Sequence, residues 1–489
     1  MRRWAKAVVC AMGTAAVAAA CGTSGGDPGG DGSSEAAGDA DAPGPELWLC
    51  QGDCWAVPLV GRVTLRDIVG DPTTGDLVTA GIFSGPVGVE GLEVMAASSW
   101  STLLLRVGSD GTARSLRRLT DNDAPAEVRR LLVTGTGEIY VAGSVRGPAQ
   151  IGGDTVGNEL QGPLVAKFAA DGSALWGRAT GNCAGDLNAL AATADGGVVV
   201  AGFVGGIDCQ LDGGPQSEAW LGPFVARLDA DGGQLWAQRL PGGIDEGSTA
   251  TGVAILADGR VLATGYSRGL LTGGELAGTE TDVNAGHAGF IALLDGADGA
   301  VERITQVAGK VTSPMPDGYD AYIDFVDLFS DPDGRFLVLG NAAAYNFAPG
   351  GYRFGAADVY FGRYTLHAAG SSINYLAELG PDGAFLDAHE DLGPGAMSLR
   401  MDVSAGRLKM IGGVLYSPAG WRADVAGTRE AVAGGVVVRS GEGVYLAVSR
   451  YAWGDTWTFT DPELADLSTP LGAPEDRAAF VLRFALPPR

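Results

Sequence analysis

A chain of 489 residues could hold two or three ordinary domains, although repeated segments also build single large domains of this length. Its 79 glycines follow no collagen-like period and helical patterning is scarce, which places the chain in the all-β class. A formal net charge of −25 opposes binding to phosphate backbones or anionic lipid, so nucleic acid is excluded as a partner and the acidity reads as solubility of an exposed protein.

Residues 1–21 open with Met1-Arg2-Arg3-Trp4-Ala5-Lys6, continue as a small apolar run from Ala7 to Ala20, and end at Cys21. A basic start before a short apolar stretch is the layout of an export signal, too short and too rich in alanine for a membrane span. Residues 22–46 are rich in Gly, Asp, Ser and Pro and hold almost nothing that could form a core. They are expected to be a disordered tether, with the folded domain running from 47 to 489. Beyond the leader, no segment reaches membrane-spanning length.

Of the six cysteines, Cys50, Cys54, Cys183 and Cys209 remain once Cys10 and Cys21 are set aside. An even number in an exported chain favours disulfides. Cys183 precedes and Cys209 follows a hairpin centred on Asp195-Gly196 at similar offsets, so strand pairing would bring them together; Cys50 and Cys54 could close a short loop. A four-cysteine zinc site has only one short Cys-x3-Cys pair to build on.

From Val57 onward two kinds of hairpin alternate. One is LVAKFAADGSALW (164–176) and FVARLDADGGQLW (224–236), with the turn at Asp-Gly; the other is LNALAATADGGVVVAGFV (187–204) and TGVAILADGRVLATGY (251–266). Asp-Gly between β-prone runs is a strong hairpin signal, because glycine accepts the positive φ that tight turns need. Two hairpins in series make a four-stranded antiparallel sheet, and repetition at a period near 60 residues predicts the blades of a single β-propeller. The second kind occurs seven times, ending with VVVRSGEGVYLAVSRY (436–451), which predicts seven blades, with six or eight as neighbouring counts. The last two copies are closely spaced, which marks one blade near Trp421 to Ala433 as degenerate. A lone C-terminal strand, FVLRF (480–484), is expected to close the ring by completing the blade begun near Val57, removing exposed sheet edges.

The patterns at Phe224–Trp236 and Asp258–Ser267 resemble the β-propeller repeat of exported bacterial proteins known as the seven-bladed propeller repeat. The resemblance is good over residues 160–305 and implies architecture rather than activity. The Asp-Gly-x-x-Leu-Trp segments also look like the pyrroloquinoline-quinone-type repeat, but the adjacent Cys-Cys pair that such enzymes often use is absent; Trp176 and Trp236 read as blade-packing residues. Val17-Ala18-Ala19-Ala20-Cys21 resembles a bacterial lipobox, which implies lipidation of Cys21. Ala18 stands where that family usually has Leu, so cleavage at an Ala-x-Ala site is the alternative. Gly22 after the cysteine, by resemblance to enterobacterial sorting, argues against retention in the inner membrane.

Candidate chemistry is sparse. His287, His367 and His389 are the three histidines, and none lies at metal-ligand spacing from another. The acidic run Asp317, Asp320, Asp324, Asp327, Asp331 and Asp333 suggests Ca2+, but it lacks the full calcium-loop pattern and alternate strand residues face opposite ways, so these carboxylates read as turn formers on a solvated rim. The segment after Asn341 departs most from the repeat and concentrates Tyr345, Phe347, Tyr352, Tyr360 and Tyr364. Aromatic faces on a long loop suit a glycan or protein ligand; the competing reading is a satellite hydrophobic cluster. Together these features predict a monomeric, non-catalytic binding or scaffolding module of the cell envelope, attached to the outer membrane only through an N-terminal lipid, or else periplasmic or secreted. An enzyme acting on extracellular polysaccharide and a quinone-dependent enzyme are the alternatives.

Overall fold

The computed structural model describes residues 55–392, apart from short stretches within them, and strands between 409 and 450 and from Ala479 to Phe484. All belong to the compact unit Pro45–Arg489. Residues 1–54, and with them Cys21, Cys50 and Cys54, lie outside the described residues.

Five four-stranded antiparallel meanders follow one another. Blade 1 is residues 60–70, Leu77–Val89, Ser101–Val107 and Ala113–Arg118. Blade 2 is Ala126–Val133, Ile139–Arg146, Gln161–Phe168 and Ala174–Ala179. Blade 3 is Cys183–Ala192, Val198–Gly206, Trp220–Leu228 and Gln234–Arg239. Blade 4 is Thr249–Ile255, Val261–Arg268, Ala285–Leu294 and Val301–Val307, and blade 5 is Asp320–Ser330, Phe336–Ala348, Ile373–Leu379 and Phe385–Leu392. A three-stranded sheet, Lys409–Ile411, Val414–Tyr416 and Arg422–Asp424, comes next.

The first strand of each blade packs on the first strand of the next, from blade 1 through blade 5, and the strand Ala431–Arg439 packs back on Trp55–Gly70. The hydrophobic cores lie between neighbouring blades. Val78 and Leu104 of blade 1 meet Val141 and Phe168 of blade 2, and Tyr140 and Val165 of blade 2 meet Val200 and Phe224 of blade 3. A strand inside such a stack is covered on both faces, which is why Ser101–Val107 is buried at every position, its polar Ser101, Thr102 and Arg106 included. The fold is a β-propeller.

Ring closure is finer than the sequence reading. The C-terminal strand Ala479–Phe484 does join the chain ends, pairing with Trp55–Leu59 through Val57↔Val481. The blade it completes is its own, however: Ala431–Arg439, Gly443–Arg450, Ala479–Phe484 and, outermost, residues 55–59. Beyond residue 59 the same N-terminal strand becomes the innermost strand of blade 1.

A repeated latch explains this arrangement. On the outer strands of blades 2 and 3, the Trp176 indole N–H donates to Ala230 O and that of Trp236 to Gly296 O, both 3.0 Å away in the Asp-Gly turn of the next blade. Each ring lies against a turn glycine: a Cβ added at Gly232 or Gly299 would stand 2.9 or 2.6 Å from it. Trp55 does the same, donating to Ser109 O at 3.1 Å and covering Gly111 of blade 1. The N-terminal segment therefore carries the side chain of an outer strand. Third-strand cations reinforce the latch: Arg227 pairs with Asp195 of its own blade at 2.7 Å and donates to Gly296 O at 2.6 Å.

Candidate functional site: the central channel and its mouth

Every described innermost strand of a full blade carries a β-bulge at the same register. The shifts fall between Leu65/Asp67, Val128/Arg130, Leu187/Ala189, Ala250/Gly252, Phe325/Asp327 and Ala433/Gly435. A bulge adds one residue and re-aims the side chains around it. Here it brings polar groups to the axis on a frame whose preceding residues Leu65, Val128, Leu187, Ala250 and Phe325 stay buried.

The polar groups are spent on one another. Arg130 Nη2 of blade 2 reaches Asp327 Oδ2 of blade 5 at 2.6 Å, a link between innermost strands that are not neighbours in the ring. The Asp67 carboxylate of blade 1 adds its field to Arg130 and accepts the Ile68 and Leu131 amides at 3.0 and 2.7 Å. One level nearer the strand N-termini, a chain of ion pairs crosses three blades: Arg66–Glu127 at 3.1 Å, Glu127–Arg129 at 3.1 Å and Arg129–Asp186 at 2.7 Å. Asn188 Nδ2 continues it to Thr249 Oγ1 at 2.9 Å, and the Thr251 hydroxyl donates to Phe325 O at 2.5 Å. Burial pushes the Asp186 carboxyl up to about 6 against the pull of Arg129. Burial also opposes the Arg129 charge, but Asp186 and Glu127 outweigh it and hold the guanidinium more firmly protonated.

Between blades 4 and 5 stands a group that the sequence reading missed. His287 Nδ1 lies 2.8 Å from Asp324 Oδ1. The His287 ring stacks on Tyr266, with centroids 5.1 Å apart and planes at 19°, and meets Tyr322 edge-on at 4.9 Å. Burial, with the charge of Asp324 adding to it, pushes the Tyr266 hydroxyl up to about 12.

The acidic run is therefore divided. Asp317, Asp331 and Asp333 lie outside the described residues. Asp324 and Asp327 are not rim turn formers: both sit inside the strand Asp320–Ser330, where Asp324 pairs with His287 and Asp327 with Arg130. Among the described residues, no three His, Cys, Asp or Glu side chains cluster as a metal site would require. His367 pairs with Asp358 at 2.6 Å on the outward face of the hairpin Gly351–Phe361/Tyr364–Ala369, and the His389 side chain lies outside the described set.

The aromatic segment forms a hairpin that grows out of blade 5. Its strand Gly351–Phe361 pairs first with Phe336–Ala348, then with Tyr364–Ala369 and Gly309–Val311. Tyr345 stands opposite Phe354, and Phe347 opposite Tyr352; these side chains are outside the described set. Tyr360 packs against Gly278, where an added Cβ would lie 2.7 Å from its own. The Tyr364 hydroxyl donates to Leu386 O, and the Arg363 guanidinium lies 5.0 Å from its ring centroid. Phe361 is buried between Phe325, Tyr375 and Phe385. Cys183 is buried and disulfide-bonded; Cys209 lies outside the described residues, three positions past Gly206, the strand partner of Cys183.

No protein-family model matches the chain, and no curated protein matches it. Two solved structures resemble it over most of their length. One is the X-ray structure of a candidate gluconolactonase, with a TM-score of 0.28 and 12% identity, covering 90% of this chain and 96% of that one. The other is a member of the duf4221 family from Bacteroides vulgatus, with a TM-score of 0.33 and 9% identity, covering 90% of this chain and 98% of that one. Likeness at this level bears on neither activity nor ligand; the architecture rests on the strand pairing above.

Proposed function

We propose that this chain is a seven-bladed propeller serving as a non-catalytic binding or scaffolding module of the bacterial cell envelope, carried by a lipid on Cys21 and the tether 22–46. The observation that supports it most is the ion-pair network that joins the innermost strands of blades 1, 2, 3 and 5. Arg66, Glu127, Arg129, Arg130, Asp186 and Asp327 pair with one another, which suits a fixed scaffold better than a catalytic centre on these strands. The blade count is supported by the bulges, which recur about every 60 residues from Arg66 to Thr251. The interval from Val326 to Gly434 leaves room for one more blade, where the three-stranded sheet lies. Cys209 is the proposed partner of Cys183, and Cys50 pairs with Cys54. The His287–Asp324 pair favours a second reading, an enzyme acting on extracellular polysaccharide, since a carboxylate-held imidazole can serve as a general base.

Two experiments test the proposal. Metabolic labelling of cells with palmitate should mark the full chain and leave a Cys21→Ser variant unlabelled and released from outer-membrane fractions; an unlabelled wild-type chain would remove the anchor. Incubation of the purified chain with soluble bacterial polysaccharides should retain polymer without generating new reducing ends or unsaturated sugars. Depolymerisation would replace the binding module with the enzyme.

A further inference from the structure

The seam between blades 4 and 5 holds two polar atoms that the fold does not use. His287 Nε2 and the Tyr266 hydroxyl have no hydrogen-bond partner among the described residues, although the rings that carry them are fixed by stacking on one another. Asp324 settles their chemistry. A carboxylate accepts only, so its contact with Nδ1 requires a proton there, and whenever the ring carries a single proton Nε2 is a bare acceptor. Tyr266, its hydroxyl pushed up to about 12, keeps its proton and remains a donor. An acceptor and a donor are thus carried by two stacked rings whose centroids lie 5.1 Å apart.

The space in front of them is shaped by Gly247. A Cβ added there would lie 3.7 Å from His287 Nε2 and 3.8 Å from both Cβ and Cδ of Arg268, the residue paired with His287 across the sheet. The missing side chain leaves a notch with Nε2 on one side and the aliphatic stem of Arg268 on the other. The His287 side chain is 21% exposed. Tyr322, edge-on to the imidazole, supports it from the neighbouring blade.

A hydroxyl group both donates and accepts, so adjacent hydroxyls complement this pair. A free carboxylate or phosphate does not, because the lone pair on Nε2 and the Asp324 charge behind it both repel an anion. We infer that the notch over Gly247 binds an uncharged, hydroxyl-rich carbohydrate, with His287 Nε2 accepting one hydroxyl proton and Tyr266 donating to the neighbouring oxygen. This assignment rests on the binding-module reading and names its ligand class.

The test is saturation-transfer NMR on the full chain with four neutral probes, maltotetraose, cellotetraose, chitotetraose and mannotetraose, beside tetragalacturonate as the charged control. At least one neutral probe should bind at pH 7.5. Gly247→Ala adds only a methyl group at ordinary contact distance and should preserve that binding. Gly247→Val reaches into the notch and should abolish it, while Tyr266→Phe should weaken it about tenfold. Thermal unfolding checks that each variant is folded, and the histidine 15N shifts check that His287 keeps its Nδ1–H tautomer.

Failure of every neutral probe overturns the assignment, as does binding that Gly247→Val leaves intact in a folded chain. In the latter case the binding-module reading survives and the notch is lost. Tighter, Gly247-dependent capture of tetragalacturonate overturns the uncharged class. Cleavage of a probe that Gly247→Val prevents would keep the notch as a carbohydrate site and overturn the non-catalytic reading instead.

Discussion

Blades 2 and 3 and blade 5 solve the same packing problem in different ways. In the former, a tryptophan from the outer strand covers the next blade's turn glycine and spends its indole N–H on a turn carbonyl. Between blades 4 and 5 the corresponding contact is made by Arg303, whose guanidinium donates to Asp382 O at 2.6 Å. Blade 5 gains its cover elsewhere, from the hairpin that buries Phe361 against Phe325 and Tyr375. The difference teaches that the latch is a local device that can be exchanged. The ring demands only that each turn be covered and each buried carbonyl be satisfied.

The largest effect should come from breaking the regular latch. Trp236→Ala removes a buried ring and its hydrogen bond and should destabilise the chain by about 3–5 kcal/mol in urea unfolding, whereas Arg303→Ala should cost about 1 kcal/mol. Equal losses would show that blades 4 and 5 depend on their latch as blades 3 and 4 do. Next comes the channel strut. Asp327→Ala leaves the buried Arg130 charge with only the field of Asp67 and should cost about 3 kcal/mol, most of it recovered when Arg130→Met is added. Additive losses would mean that the two side chains do not meet across the axis.

Asp186 sharpens the comparison through pH. Its folded carboxyl, at about 6, lies above its ordinary value of 3.8, so the folded state holds more protons between those limits. Its contribution is fully present below pH 4 and lost as pH rises through 6. Asp186→Asn should remove that downward slope, as read from the difference between variant and wild-type unfolding curves; an unchanged difference across pH 4–7 contradicts the buried placement. The smallest effect belongs to blade 5: Tyr364→Phe, which loses one hydrogen bond to Leu386 O, should cost about 1 kcal/mol in thermal unfolding.

Much of this was legible because local chemistry carries it. Asp171-Gly172 and Asp195-Gly196 mark hairpins since the turn needs a positive φ, and Gly172 and Gly196 have φ of 80° and 84°. The Trp176 and Trp236 positions recur with the turns they cover. The channel was not legible, because its chemistry depends on register between blades. Arg130 and Asp327 belong to blades 2 and 5, and His287 lies 37 residues from Asp324. One signal was available: aligning Leu65-Arg66-Asp67, Val128-Arg129-Arg130, Leu187-Asn188-Ala189 and Phe325-Val326-Asp327 shows a buried apolar residue followed within two positions by at least one polar residue. Reading the aspartates of 317–333 as turn formers overlooked that Asp324 and Asp327 bracket one of these positions.

The central claim is a ring closed by both chain ends, and a cross-link tests it most directly. Val57 and Val481 are buried strand partners on the first and last described strands. In the full chain carrying Val57→Cys and Val481→Cys, mild oxidation should join the two positions in one peptide pair by mass spectrometry, with neither single variant giving that pair. A folded double variant whose cysteines stay unlinked, or link to other cysteines instead, would contradict the closed propeller.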